Sequence, residues 1–371
     1  MKYCNVVLRS EEKAIYDLRE LYLKHGYLHY KVGKFEEYDL YAENKSFLKS
    51  DSILTFTDTD GKLMALKPDV TLSMIKNVGD DDMSMHKYFY NENVYRTSAS
   101  SGGFKEIMQT GLECIGNIDT YSICEVLMLA DDSLKIIGER SILALSHMGF
   151  VLGLLEECKL SSSQQKEALE YISSKNTHAL KAMADSLRMY KELSDALIFT
   201  AKFYGKLSDA IVAIGNFCFN EKISEAYREL VGIAEAMRGR ELYADFSLVS
   251  DINYYNGIVF KGYIDGIPES ILSGGRYDSL VHKMGKKSGA VGFAVYLDLL
   301  ERFYDEAGGY DTDMLLIYGD DSMPCDVFEA VRRLTEDGRS VKALKENDGK
   351  VKYKTLAKLC SGEVKIIETN D

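Results

Sequence analysis

The sequence predicts an α+β fold on a mainly antiparallel sheet flanked by helices. Strand-like runs gather before residue 116 and after residue 247, and the stretch between them reads as helix, so the elements are segregated rather than alternating as in a doubly wound sheet. The chain has 371 residues, of which 46% are hydrophobic and 11% aromatic. That is enough apolar surface for a sizeable core spread over two or three domains.

Ser10 with Glu11 and Glu12 behind it reads as an N-cap with a carboxylate-rich first turn. Ile15, Leu18, Leu21 and Tyr22 then recur at helical spacing until Gly26. Ile53 to Thr57, the turn Asp58-Thr59-Asp60-Gly61 and Leu63 to Leu66 predict an antiparallel hairpin. Further strand-like runs are Lys87 to Arg96 and Ile107 to Ile115, with the loop Ser100 to Gly103 between them, then Leu248 to Val249 and Gly257 to Tyr263. Residues 120–148 and most of 162–239 are rich in Ala, Leu, Glu and Lys at helical spacing, as in Met183, Leu187, Tyr190 and Leu193.

After Gly308-Gly309 the expected order is a strand at Met314 to Tyr318, a helix after Pro324, a strand near Val341, a helix near Lys354 and a strand at Val364 to Ile367. The expected division is a discontinuous core at 1–158 and 241–303, a helical insertion at 159–240, and a small C-terminal α/β domain at 311–371.

With 45 Lys and Arg against 58 Asp and Glu, the net charge of -13 disfavours loose binding to nucleic acid or anionic membranes, though a local basic groove is compatible with it. Seven cysteines (Cys4, Cys114, Cys124, Cys158, Cys218, Cys325, Cys360), an odd number without Cys-x-x-Cys, read as buried thiols of a reducing compartment. The six histidines show no metal-ligand spacing, so neither a metal nor a cofactor is expected. The start Met1-Lys2-Tyr3-Cys4-Asn5 lacks a signal-like apolar stretch, which predicts a cytoplasmic protein without membrane association.

Four ordered segments resemble the catalytic core of histidyl-tRNA synthetase, a class II aminoacyl-tRNA synthetase. They are Leu66-Lys67-Pro68-Asp69-Val70-Thr71; Val94-Tyr95-Arg96 with Gln109-Thr110-Gly111-Leu112-Glu113; Asn253 to Phe260 with Ser273-Gly274-Gly275-Arg276-Tyr277-Asp278; and Gly289 to Ala294. The residues are suggestive on their own terms. Asp69, Thr71, Gln109 and Glu113 mix carboxylates for an ammonium group with hydrogen-bond donors for a carboxylate, and Tyr254 and Tyr255 offer a ring wall and a phenol. The competing reading makes the carboxylates surface strand ends and the tyrosines core. Period-2 spacing places Gln109, Gly111 and Glu113 on one sheet face, and the side-chain gap at Gly111 predicts room for a small ligand.

The family pattern fails at its phosphate-binding positions. Arg96 matches the motif 2 arginine, but Ser250, beside Asp251, stands at the family's catalytic arginine; Tyr296 replaces a glycine and Leu299 an ATP-binding arginine. Each electrostatic contact to a transition state is worth roughly 3 kcal/mol, so two losses predict a chain without adenylation chemistry. The Glu301-Arg302 pair lies three residues beyond the expected position, about 4.5 Å along a helix. Gly33 replaces the motif 1 proline, and the short tail interleaves its lysines with acidic residues rather than forming a basic stripe.

This combination resembles the regulatory subunits of ATP phosphoribosyltransferase. The resemblance implies a non-catalytic chain that activates a short catalytic subunit in the first step of histidine biosynthesis. It further implies histidine as effector, bound by Asp69, Thr71, Arg96, Gln109, Glu113, Tyr254 and Tyr255, and no tRNA partner. A homodimer is expected on the opening helix and motif 1 strand, with Ile15, Leu18 and Tyr22 as its seam. The alternative is a histidyl-tRNA synthetase or a related amino-acid-activating enzyme.

Overall fold

The computed structural model describes residues 10–48, 53–79, 84–97, 103–249, 254–300 and 310–370. The chain divides into two units, Met1–Glu301 and Arg302–Asp371. The first opens with helix α1 (Ser10–Lys24), followed by β1 (Leu28–His29), β2 (Phe35–Glu37), α2 (Tyr38–Glu43), β3 (Thr55–Thr57), β4 (Leu63–Leu66) and α3 (Thr71–Asn77). Next come the long strands β5 (His86–Thr97) and β6 (Phe104–Gly116), then α4 (Thr120–Ile137), β7 (Ser141–His147) and α5 (Met148–Glu157). Helices α6 (Ser162–Ser173), α7 (Thr177–Ser186) and α8 (Lys191–Lys202), strand β8 (Tyr204–Lys206), and helices α9 (Leu207–Ile214) and α10 (Glu221–Ala236) form the helical middle. The unit closes with β9 (Leu242–Asp245), β10 (Ile258–Ile264), β11 (Leu272–Arg276), α11 (Asp278–Lys283) and β12 (Gly289–Tyr296).

A nine-stranded sheet in the order β1-β5-β6-β12-β11-β10-β7-β9-β8 organises this unit. Its neighbours pair antiparallel except β1 with β5 and β7 with β9. Helix α4 starts where the Asp119 side chain accepts the Ser122 backbone N–H at 2.8 Å, and it buries Leu127, Ala130 and Leu134 in the same core as Phe260 and Phe293 of the sheet. The hairpin expected at 53–66 forms as β3 and β4. It belongs to a separate three-stranded sheet, β2-β4-β3, from which Lys67 to Thr71 lead into α3.

Several expectations are corrected. Residues 141–147 are a strand between β10 and β9, not the end of a helical stretch, because a short buried apolar run has the same texture in either element. The expected strand at Leu248 to Val249 sits instead at β9, and the helical middle contributes the edge strand β8. Leu18 and Tyr22 are fully buried in their own chain's core, with the Tyr22 hydroxyl bonded to Ser133 Oγ at 3.0 Å, so they cannot form a seam with a second copy. Cys218 and Cys325 are exposed rather than buried. The loop Ser100 to Gly102 and the Glu301-Arg302 pair lie outside the described residues.

The second unit consists of β13 (Thr312–Tyr318), α12 (Pro324–Glu336), β14 (Val341–Leu344), β15 (Tyr353–Cys360) and β16 (Glu363–Thr369), with sheet order β14-β13-β15-β16. Where a helix near Lys354 is expected, β15 runs parallel to β13. Lys354, Leu356 and Lys358 lie on one face and Thr355, Ala357 and Leu359 on the other, the period of a strand.

Candidate functional site

Three adjacent strands of the large sheet form the floor of the site, and their register arranges it in transverse rows. Gln109 of β6 lies opposite Tyr296 of β12; Gly111 opposite Ala294, which pairs onward with Ser273 of β11; and Glu113 opposite Gly292, which pairs onward with Gly275. Residues in one row, and in rows two positions apart, point to the same face.

The wall is built by the segment before α3. The Lys67 backbone N–H donates to Lys34 O at 3.2 Å, and Tyr95 N–H to Lys67 O at 3.0 Å. The buried Lys67 ammonium pairs with Glu92 at 2.5 Å. So fixed, Pro68 presents its carbonyl to Arg96 Nε at 2.8 Å, and Asp69 Oδ1 accepts the Leu72 N–H at 3.0 Å in the first turn of α3. Arg96 Nη2 stands 3.9 Å from Asp69 Oδ2.

Glu113 occupies the centre, 3% exposed. Thr71 Oγ1 donates to one carboxylate oxygen at 2.7 Å and the Tyr277 phenol to the other at 2.5 Å. Burial raises its pKa to about 8; the two hydroxyl donors work against that rise and the nearby Asp69 charge adds to it. Among the described residues no cationic side chain pairs with it.

The missing side chains at Gly292 and Gly275 are what make this packing possible. A Cβ on Gly292 would collide with Glu113 Oε2, and one on Gly275 would stand 2.6 Å from the Tyr255 ring. The Ser273 to Asp278 segment is further knitted by Arg276 Nε donating to Asp278 Oδ2 at 2.8 Å and by Ala290 N–H donating to Asp278 Oδ1 at 2.9 Å.

Asp69, Thr71, Arg96, Gln109, Glu113, Tyr254 and Tyr255 all line one pocket, joined there by Tyr90, Ser273, Tyr277 and Tyr296. Tyr254 packs against Tyr255 with centroids 4.7 Å apart and against Tyr277 at 5.6 Å. Gly111 does not leave the expected room. A Cβ there would meet the Tyr90 hydroxyl at 2.6 Å, because Tyr90 pairs across from Gly111 and covers it. The open volume is only about 30 Å³, little more than two waters at 10–15 Å³ each. Leu299 does not line the pocket; it is buried in the main core, and Ser250 lies outside the described residues.

Tyr277, Ser273 and Tyr90 are the site residues that sequence reasoning passed over. The first two were within a segment already singled out, and Tyr90 follows from pairing β5 against Gly111 once the register is known.

The family model described as histidyl-tRNA synthetase matches residues 7–300. An ATP phosphoribosyltransferase regulatory subunit from Clostridium kluyveri is 30% identical over 341 residues, covering 86% of this chain and 85% of the relative. The chain belongs to the family of ATP phosphoribosyltransferase regulatory subunits, which share the histidyl-tRNA synthetase fold.

Solved structures agree on that fold. An ATP phosphoribosyltransferase regulatory subunit/histidyl-tRNA synthetase from Bacillus halodurans superposes with a TM-score of 0.74 at 23% identity, covering 94% of this chain and 95% of that one. A chain of the ATP phosphoribosyl transferase complex from Thermotoga maritima superposes with a TM-score of 0.59 at 20% identity, covering 77% and 97%. Tyr296, where the resemblance to the synthetase pattern has glycine, lines the same pocket as Asp69, Thr71, Gln109 and Glu113.

Proposed function

We propose that the chain performs no adenylation itself, docks on and activates the short catalytic subunit of ATP phosphoribosyltransferase, and reports histidine abundance through the Glu113 pocket. One observation carries this: two carboxylates, Asp69 and Glu113, converge on a pocket from which Leu299 is absent and into which Tyr296 projects. Arg96 partly balances Asp69, whereas among the described residues Glu113 accepts from two hydroxyl donors and pairs with no cation. A ligand carrying an ammonium group and an imidazole supplies what Glu113 lacks, and Arg96 and Gln109 offer donors for its carboxylate.

Feedback requires only that histidine bind two states of the complex unequally, by about 1–3 kcal/mol for 5- to 150-fold modulation. Tyr296, only half-buried at the end of β12, is the side chain that gives way as histidine enters.

The proposal includes a homodimer. With Leu18 and Tyr22 committed to the chain's own core, the exposed large apolar side chains that α1 and β1 offer are Tyr16, Leu23 and Leu28, the last on an edge strand of the large sheet. It also includes a cytoplasmic location, no tRNA partner, and the division into a discontinuous core, a 159–240 insertion and a 311–371 appendage. The test is reconstitution with the catalytic subunit: activation on adding this chain, relieved by histidine, supports the reading. Histidine-dependent exchange of pyrophosphate into ATP by the chain alone contradicts it.

A further inference from the structure

With Tyr90 lying over Gly111, the free floor of the pocket shifts along the same row to Ala294 and Ser273, away from β6 and toward β11. Ser273 is 5% exposed, lines the pocket, and its Oγ has no hydrogen-bond partner among the described residues. The same is true of Gln109 Nε2, 2% exposed, one row along and two strands away. A buried hydroxyl and a buried amide without partners are rare in folded proteins, because each forfeits its hydrogen bonds to water. At about 4.8 Å between strands and 3.4 Å per residue, their Cα atoms stand about 12 Å apart. With both side chains standing on the same face, that span leaves the length of one amino acid lying across β12.

We infer that Ser273 is a specificity-determining contact of the bound amino acid: its hydroxyl hydrogen-bonds the end of the ligand opposite the one held by Gln109. This rests on the pocket being the histidine site. It adds that the ligand lies over β12 and β11, with Ala294 as its floor and Ser273 as a polar stop. The hydroxyl suits an imidazole nitrogen, since it can donate to the unprotonated nitrogen or accept from the protonated one. An apolar side chain of similar size would leave Ser273 unpaired in the complex as well.

The test uses the full-length chain, alone and with its catalytic subunit, and titrates L-histidine into wild type, Ser273→Ala and Ser273→Val by calorimetry, with thermal melts in parallel. Ser273→Ala removes an unpartnered hydroxyl, so the ligand-free variant melts at least as high as wild type, while its histidine affinity falls about tenfold, the value of one lost hydrogen bond. Ser273→Val fills the floor and abolishes binding. A residue serving only the fold would lower the ligand-free melting temperature and leave affinity unchanged. If wild type binds histidine and Ser273→Ala binds it equally well, the inference is overturned. If wild type fails to bind histidine in either form, the pocket assignment itself is wrong.

Discussion

The Tyr277 phenol reaches Glu113 across 164 positions of sequence and donates to its carboxylate at 2.5 Å. On the opposite oxygen Thr71 donates at 2.7 Å. The pair thus holds a buried acid in a fixed orientation but supplies no positive charge, so a cationic ligand group beside it would draw the raised pKa back down on binding.

That arrangement predicts a pH dependence. The folded-state pKa of Glu113, about 8, lies above its ordinary value of 4.5. Stability from this group is therefore fully present below pH 4.5 and declines as pH rises toward 8, at up to about 1.4 kcal/mol per unit. Urea unfolding between pH 5.5 and 8.5 should show ligand-free wild type losing stability relative to Glu113→Gln as pH rises. Parallel curves would refute the raised pKa.

Restoring the synthetase's arginine at residue 299 should fail structurally. Leu299 is buried in the main core, so Leu299→Arg places an unpaired charge among apolar side chains at a cost of about 3 kcal/mol or more. The expected result, by denaturant melts and pyrophosphate exchange, is a destabilised chain with no exchange activity, even combined with Ser250→Arg.

Tyr296 is predicted to compete with the ligand. Removing its ring with Tyr296→Ala enlarges a cavity of about 30 Å³ and should raise histidine affinity, by about tenfold if the ring's displacement costs about 1.4 kcal/mol. Stopped-flow association should accelerate with it. An unchanged association rate would mean that another side chain gates the pocket.

The dimer prediction is equally direct. Leu28 is 63% exposed on the edge strand β1, so Leu28→Glu should dissociate the dimer at micromolar concentration in sedimentation velocity without lowering the melting temperature of the monomer unit. Wild type sedimenting only as a monomer would remove this interface.

The site was legible in sequence to the extent that periodicity reaches. Two-residue spacing placed Gln109 and Glu113 on one face, and the motif segments brought Asp69, Thr71, Arg96 and the tyrosines to the same place. Register was not legible: that Tyr90 covers Gly111 follows from the pairing of β5 with β6, which no local pattern encodes. Nor could the helical spacing of Leu18 and Tyr22 say whether their face meets the chain's own core or a second copy. Strand β7 escaped because Ser141 to His147 is uniformly apolar at its centre, and β15 although its lysines alternate with more buried residues at the period of a strand.

The central claim, that this chain senses histidine through Glu113 on behalf of a catalytic partner, is tested most directly by assaying the reconstituted ATP phosphoribosyltransferase across a histidine titration with wild type and Glu113→Gln. The account predicts equal activation by the two proteins without histidine, and an inhibition midpoint shifted at least tenfold higher in the variant. Identical inhibition curves would contradict it and move the sensor away from this pocket.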